Sequence, residues 1–235
     1  MWEPPRKFFC TPRGLFRWPV AFAEAVYRQS WKVQGIRARF AHSAEEALRL
    51  VEEGEVAVLA LEGRVLMEIR PSILIDARIA KQNLGTKMDE APLVIGLGPG
   101  FTAGRDCRAA VETLEGPNLG RVILAGTATP PTHRPCLIDG LGEERVVRAP
   151  RAGEFWPLRT IGDLVRDDEP VAKIDELVLR APISGVIRGS YTLGSSSTKR
   201  WMKVVEIDPR SDPTIPFKIS DRSLCITPQR EPSLY

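Results

Sequence analysis

Apolar positions fall in short blocks along this chain, and their spacing predicts helices mixed with strands first and strands alone later. Residues 22–27 read as one short helix. Ser43-Ala44-Glu45-Glu46 is a capping box, in which the Ser43 hydroxyl accepts from a first-turn amide and Glu46 reaches back toward the start of the helix. Ala47, Leu48 and Val51 follow at helical spacing, and Gly54 stops the helix. Residues 55–61 (EVAVLAL), 73–79, 93–97 and 121–125 read as strands. Residues 73–79 and 93–97 have few polar interruptions, as in strands buried on both faces. Residues 107–114 read as a short helical segment. The pattern predicts an α/β domain over residues 1–142.

Beyond residues 140–144 the pattern changes to short β segments and turns, and two stretches align. Arg145-Val146-Val147-Arg148-Ala149-Pro150 matches Leu177-Val178-Leu179-Arg180-Ala181-Pro182 at an offset of 32 residues. The same offset relates Gly153 to Gly185 and Gly162 to Gly194. With one inserted residue, Val171 to Asp175 matches Val204 to Asp208. Two such copies can bury a common apolar seam that neither buries alone. The arrangement resembles the biotinyl/lipoyl-like barrel-sandwich (hammerhead) fold, which is the expectation for residues 143–212, with 213–235 as a tail. Carrier domains of that fold hold a lysine at the tip between the halves. Here the tip is Asp175-Glu176-Leu177, and Lys173 lies before it, so a structural or docking module is expected rather than a carrier.

Composition narrows the function classes. Hydrophobic residues make up 43% of the chain, enough for a sizeable core. The net charge of +3, with no basic tract carrying interleaved aromatics, argues against nucleic acid as a partner. No apolar run approaches the roughly 20 residues of a membrane span, and the Pro- and Arg-rich start lacks a signal-peptide core. Cysteines at 10, 107, 136 and 225 form no CxxC pair, and the histidines are His42 and His133 alone. No metal site is expected, and reduced thiols in a cytoplasmic protein are.

The strongest chemical feature is Gly96-Leu97-Gly98-Pro99-Gly100-Phe101-Thr102-Ala103-Gly104, directly after a buried strand. Glycines there let the backbone turn sharply, and successive amides can form an anion-binding concavity. It is not a P-loop, which needs G-x-x-x-x-G-K-[ST], nor the G-x-G-x-x-G dinucleotide motif, because position 101 or 103 breaks the spacing. Asp76, Arg78 and Lys81 stand at the end of an expected parallel strand, where α/β sheets commonly place ligands. Candidate ligand-binding residues are therefore Gly98, Gly100, Thr102, Gly104, Arg78, Lys81, Asp106 and Arg121. Asp76 and Glu112 are the candidate general bases, with Lys81 or Arg121 to hold an anion. An ordinary ion-pair network and a tight structural turn explain the same residues. Cys107 has no nearby histidine to activate it, so a cysteine nucleophile is not expected.

Several segments in matching order, from about residue 17 to 221, resemble one family. They include Arg17-Trp18-Pro19-Val20-Ala21-Phe22, Asp76-Ala77-Arg78-Ile79-Ala80-Lys81-Gln82-Asn83, the PLVIGLGPGFTAG string ending at Gly104, Leu119-Gly120-Arg121-Val122-Ile123 and Asp208-Pro209-Arg210. These are similar to the accessory proteins of the selenium-dependent molybdenum hydroxylase system. The resemblance implies a helper in maturation of such an enzyme, in cofactor handling or selenium insertion, with a molybdopterin-type cofactor handled rather than used. The implied partners are the molybdenum hydroxylase apo-enzyme or other maturation factors, with no membrane, and homo-oligomerisation is left open. Departures from the family are the missing Rossmann-like segment ahead of Arg17, Glu115-Gly116-Pro117-Asn118 in place of Arg-Gly-His, and Pro131-Thr132-His133-Arg134-Pro135-Cys136 in place of a glycine-containing loop. An enzyme acting on an anionic small molecule at residues 96–104, and an inactive divergent homologue, are the alternative readings.

Overall fold

The structure is a computed structural model and describes residues 16–17, 19–59, 68–132, 134–191 and 198–226. The chain forms two compact units, and each is discontinuous in sequence. One is built from residues 68–132 and 219–226, the other from 16–59 and 134–218. The consecutive segments drawn from sequence do not coincide with these units.

The N-terminal part opens with a short strand, β1 (Phe16–Arg17). A 3-10 turn at Phe22–Glu24 runs into a single helical turn, α1 (Ala25–Arg28). Strands β2 (Ser30–Val33) and β3 (Ile36–Ala41) form an antiparallel hairpin. Its two-residue loop has φ of 45° at Gln34 and 88° at Gly35, both on the positive side that a tight hairpin turn requires. Helix α2 (Ala44–Glu52) then carries the chain to β4 (Val56–Leu59), which pairs in parallel with β3. The capping box forms as the sequence predicts: the Glu46 amide donates to Ser43 Oγ at 3.1 Å, and Glu46 Oε2 accepts from the His42 amide at 2.9 Å. Gly54, at φ 84°, ends the helix. Ala25, Ala38, Val56 and Val58 form the local core. Strand β4 ends at Leu59, and the last residues of the expected 55–61 strand lie outside the described residues.

The next unit is a four-stranded sheet. Strands β5 (Ile73–Asp76) and β6 (Leu93–Leu97) are parallel neighbours. A two-residue strand, β7 (Thr102–Ala103), leads to β8 (Ala109–Val111), which pairs in parallel with β6. Strand β9 (Val122–Ile123) closes the sheet antiparallel to β8, and β10 (Gly126–Thr127) pairs with β7. The helix expected over residues 107–114 is corrected to a strand. Ala109, Ala110 and Val111 are all buried between two neighbours, and ladder pairing outweighs alanine's helix propensity. The parallel connections here contain no helix, so the α/β expectation for this region is corrected to a mostly β sheet with irregular crossovers. Ala91, Val94, Phe101, Ala103, Cys107 and Ala110 make up its core.

Among the remaining described residues, strands predominate. Strands β11 (Val146–Arg148), β12 (Phe155–Pro157), β13 (Leu164–Val165), β14 (Pro170–Ile174), β15 (Leu177–Arg180), β16 (Gly185–Tyr191) and β17 (Lys203–Asp208) follow, then helix α3 (Asp221–Ile226) of the other unit. They form two unequal sheets: five strands in the order β1-β16-β17-β11 with β13 on β16, and three in the order β12-β14-β15. The biotinyl/lipoyl-like hammerhead expected for residues 143–212 is therefore corrected. The strands are no free-standing all-β module of two matched halves. One sheet takes in β1 from the N-terminal part, and residues 16–59 belong to the same compact unit. The physical cause is an open edge: β16 has seven residues, and β1 and β13 each pair with part of it. The aligned segments do share one core, in which Phe155, Ile174, Ile187, Val204 and Ile207 are fully or almost fully buried.

Candidate functional site

The candidate residues meet at the carboxyl ends of the parallel strands β5, β6 and β8. Asp76 is the last residue of β5 and pairs in register with Gly96 of β6, and Leu97 pairs with Val111 of β8. The Gly98 amide then donates to the Val111 carbonyl at 2.9 Å, which turns the chain across the sheet end. This is where ligands commonly bind in open parallel sheets.

Three of the turn's four glycines, Gly96, Gly98 and Gly100, answer to a neighbour. A Cβ on Gly96 would sit 2.3 Å from the Phe101 ring. On Gly98 it would sit 2.7 Å from Thr113 Oγ1, and on Gly100 it would sit 2.4 Å from the Gln82 backbone. The turn is therefore wedged between the loop after β5 and the segment after β8. Its amides are largely used internally. Thr102 N donates to Asp106 Oδ2 at 2.8 Å, Gly104 N to the Cys107 carbonyl, and Asp106 N to the Thr102 carbonyl. The anion at this turn is the protein's own Asp106 carboxylate, which Arg105 pairs from the solvent side at 2.9 Å. The Arg105 hydrogen bond holds that carboxyl below its ordinary range, with smaller help from the Thr102 amide and Asn83.

On one side of the turn, Asp76 is buried and Arg78 wraps it. Arg78 Nε donates to both Asp76 oxygens at 3.0 and 3.1 Å, and Thr86 Oγ1 donates to Asp76 Oδ2 at 2.6 Å. Arg78 Nη2 donates to the same carboxylate and, at 2.8 Å, to Thr86 Oγ1. Burial alone would push the Asp76 carboxyl up, but the hydrogen bonds from Arg78 and Thr86 outweigh it and hold the group below its usual value. Asn83 fixes the rest of the loop: its Oδ1 accepts from the Gly85 and Thr86 amides, and its Nδ2 donates to the Thr86 carbonyl. Lys81 is exposed on this loop.

On the other side, Glu112 follows β8 and is almost completely buried. Its Oε1 accepts from the Thr113 and Leu114 amides at 2.7 and 2.8 Å, and its Oε2 from the Thr129 amide at 2.8 Å. Burial raises this carboxyl, and the Thr129, Leu114 and Thr113 donors bring it below normal. Glu112 and Arg121 line one open depression of about 340 Å³ with Asn118, Thr127 and Thr129. Arg121 itself is exposed and makes one long contact, 3.4 Å, to Asn118 Oδ1.

Asp76 and Glu112 thus stand at the same sheet end, but β6 lies between their strands. Two strand spacings set their backbones about 10 Å apart. Thr86, Asn83, Thr113 and Thr129 were missed as partners from sequence. An Asn-x-Gly-Thr stretch, a common Asx-turn composition, was the available signal for the first two. His133 lies outside the described residues. Cys107 is buried, and that burial raises its thiol above the ordinary value.

A second charged cluster lies in the other unit. Arg145, about 1% exposed, pairs with the buried Glu206, and donates to the Cys136 carbonyl at 2.8 Å and the Leu141 carbonyl at 3.3 Å. Lys203 reaches Glu206 at 2.8 Å, Arg210 reaches the buried Asp208 at 2.7 Å, and Arg188 lies 3.7 Å from Asp208. Asp208-Pro209-Arg210, at one edge of this cluster, belongs to the motif set read from sequence.

No protein-family model matches the chain. It is 41% identical over 213 residues to the uncharacterized protein YqeB of Escherichia coli (strain K12). The match takes in 90% of this chain but 39% of the relative, so the chain spans about two fifths of that protein's length. Among solved structures, a succinylglutamate desuccinylase from Silicibacter aligns at 15% identity with a TM-score of 0.25, over 63% of this chain and 50% of that one. No helix among the described residues is long and apolar enough to cross a membrane.

Proposed function

We propose that this chain is a cytoplasmic accessory protein in maturation of a selenium-dependent molybdenum hydroxylase, acting by binding an apo-enzyme, an intermediate or a molybdopterin-type cofactor as cargo. The ordered motifs between residues 17 and 221 support the family part of this reading. One observation carries the binding part: Asp76 and Glu112, the two carboxylates placed to serve as bases, are both held ionised below their ordinary range by hydrogen bonds within the protein. A carboxylate so stabilised is a weak proton acceptor. The enzyme reading loses its base, while the sheet end keeps exposed Arg78, Lys81 and Arg121 for binding.

The test has two parts. The chain should co-purify with a molybdenum hydroxylase apo-enzyme, and deleting its gene should leave hydroxylase polypeptide present but inactive. Absence of association with or without molybdopterin, together with full hydroxylase activity in the deletion strain, would overturn the reading.

A further inference from the structure

The loop after β5 is held in place more firmly than an exposed connection requires. Asp76 and Thr86 lock one edge of the Arg78 guanidinium, through Nε and Nη2. Asn83 ties the loop to itself, and Gly100 lies against its backbone at Gln82 and Asn83. The cost is visible in the backbone. Ile79 and Lys81 adopt φ of 49° and 63°, and a β-branched residue in that region is a true outlier. Such strain persists only where surrounding contacts over-determine it, and it clusters at ligand sites. Arg78 remains 36% exposed in its side chain, and its Nη1 makes no hydrogen bond to a described residue. Lys81, also exposed, has no ion pair among the described residues.

A guanidinium with one edge clamped by a buried carboxylate and the other edge facing water is pre-organised to receive a second anion. It loses little side-chain entropy on binding, and the planar group presents two N–H bonds at the free nitrogen. We infer that the loop from Arg78 to Lys81 is a binding site for a small oxyanion, a phosphate or carboxylate group of a ligand, received by Arg78 Nη1 and Lys81. Asp76 is the positioning residue that aims Arg78. The glycine turn supplies the wall behind the loop rather than the anion donors themselves. The site deepens the binding reading above, yet it does not require a molybdenum enzyme as partner.

Calorimetric titration of the full chain with inorganic phosphate, and separately with acetate, against chloride at matched ionic strength, tests it. Phosphate or acetate should bind at least ten times tighter than chloride, and whichever does so names the group. Lys81→Ala, an exposed change that leaves the fold intact, should weaken that binding at least three-fold. Arg78→Lys should weaken it at least ten-fold, with the folded state checked by circular dichroism. Lys32→Ala, an exposed position of β2 outside the proposed site, should leave it unchanged. Binding no tighter than chloride, or equal binding by wild type and Lys81→Ala, overturns the site. Co-purification with the hydroxylase is read independently, so a failure here is distinguishable from a failure of the maturation role.

Discussion

Asp76 shows how one side chain can look catalytic in sequence and prove to be a clamp. It ends a parallel strand beside a glycine-rich turn, but both its oxygens are taken by Arg78 and Thr86. Its folded pKa is depressed, as are those of Glu112 and Asp208. A group of this kind stabilises the fold above its unfolded pKa, and that stabilisation is lost as pH falls through the folded value. Thermal unfolding should therefore be flat near neutrality and fall away below about pH 4. Asp76→Asn should lower the melting temperature at pH 7 and reduce the further loss between pH 4 and pH 3; an unchanged acid profile would contradict the assignment. Cysteine behaviour is also decided residue by residue. Cys107 is fully buried with its thiol raised, whereas Cys225 is exposed. Brief alkylation of native protein, mapped by mass spectrometry, should label Cys225 and leave Cys107 unmodified.

At the scale of elements, the glycine turn and the helix cap were both visible in the sequence, but for different reasons. The capping box is a local device: its partners lie within four residues of one another, so spacing alone locates it. Ser43→Ala should cost about 1 kcal/mol, read from urea unfolding. The turn was recognisable as a turn, but what its glycines avoid was not, because Thr113 and Gln82 are brought there by tertiary structure. Gly100→Ala forces a Cβ to 2.4 Å from backbone and should cost more than about 3 kcal/mol. Gly104 has a similar φ of 87° but open space, so Gly104→Ala should cost about 1–2 kcal/mol. Equal costs at the two positions would mean that the close approach is not real. The segment from Ala109 to Val111 was misread as helical for the same reason: its neighbours β6 and β9, not its composition, make it a strand.

At the scale of the molecule, charge buried in the larger unit outweighs charge on its surface. Arg145 joins Glu206 of β17 to the carbonyls of Cys136 and Leu141 and is about 1% exposed. Removing it leaves the buried Glu206 with Lys203 as its close partner and deprives the Cys136 and Leu141 carbonyls of a donor, so Arg145→Ala should destabilise by about 2–4 kcal/mol. Arg148→Ala breaks a half-exposed pair with Glu143 and should cost about 1 kcal/mol or less. The two arginines stand three residues apart, one ending a 3-10 turn and the other ending β11, and sequence distinguished neither. Had the two costs been similar, the burial of Arg145 would be in error.

The sequence by itself determined the local devices: the cap at Ser43, the stop at Gly54, the strand at Leu93–Leu97, the glycine turn and the aligned segments that share one core. Each depends on residues near one another in the chain, or on a pattern of burial that recurs along it. Tertiary structure alone decided the division into discontinuous units, the capture of β1 by the edge of β16, the unequal sheets that displaced the expected hammerhead, and the partners that tie down Asp76 and Glu112. Those outcomes depend on which strand edges and buried polar groups meet across long sequence separations. A hydrogen bond must be made to some partner once its group is buried, but the identity of that partner is set by the fold.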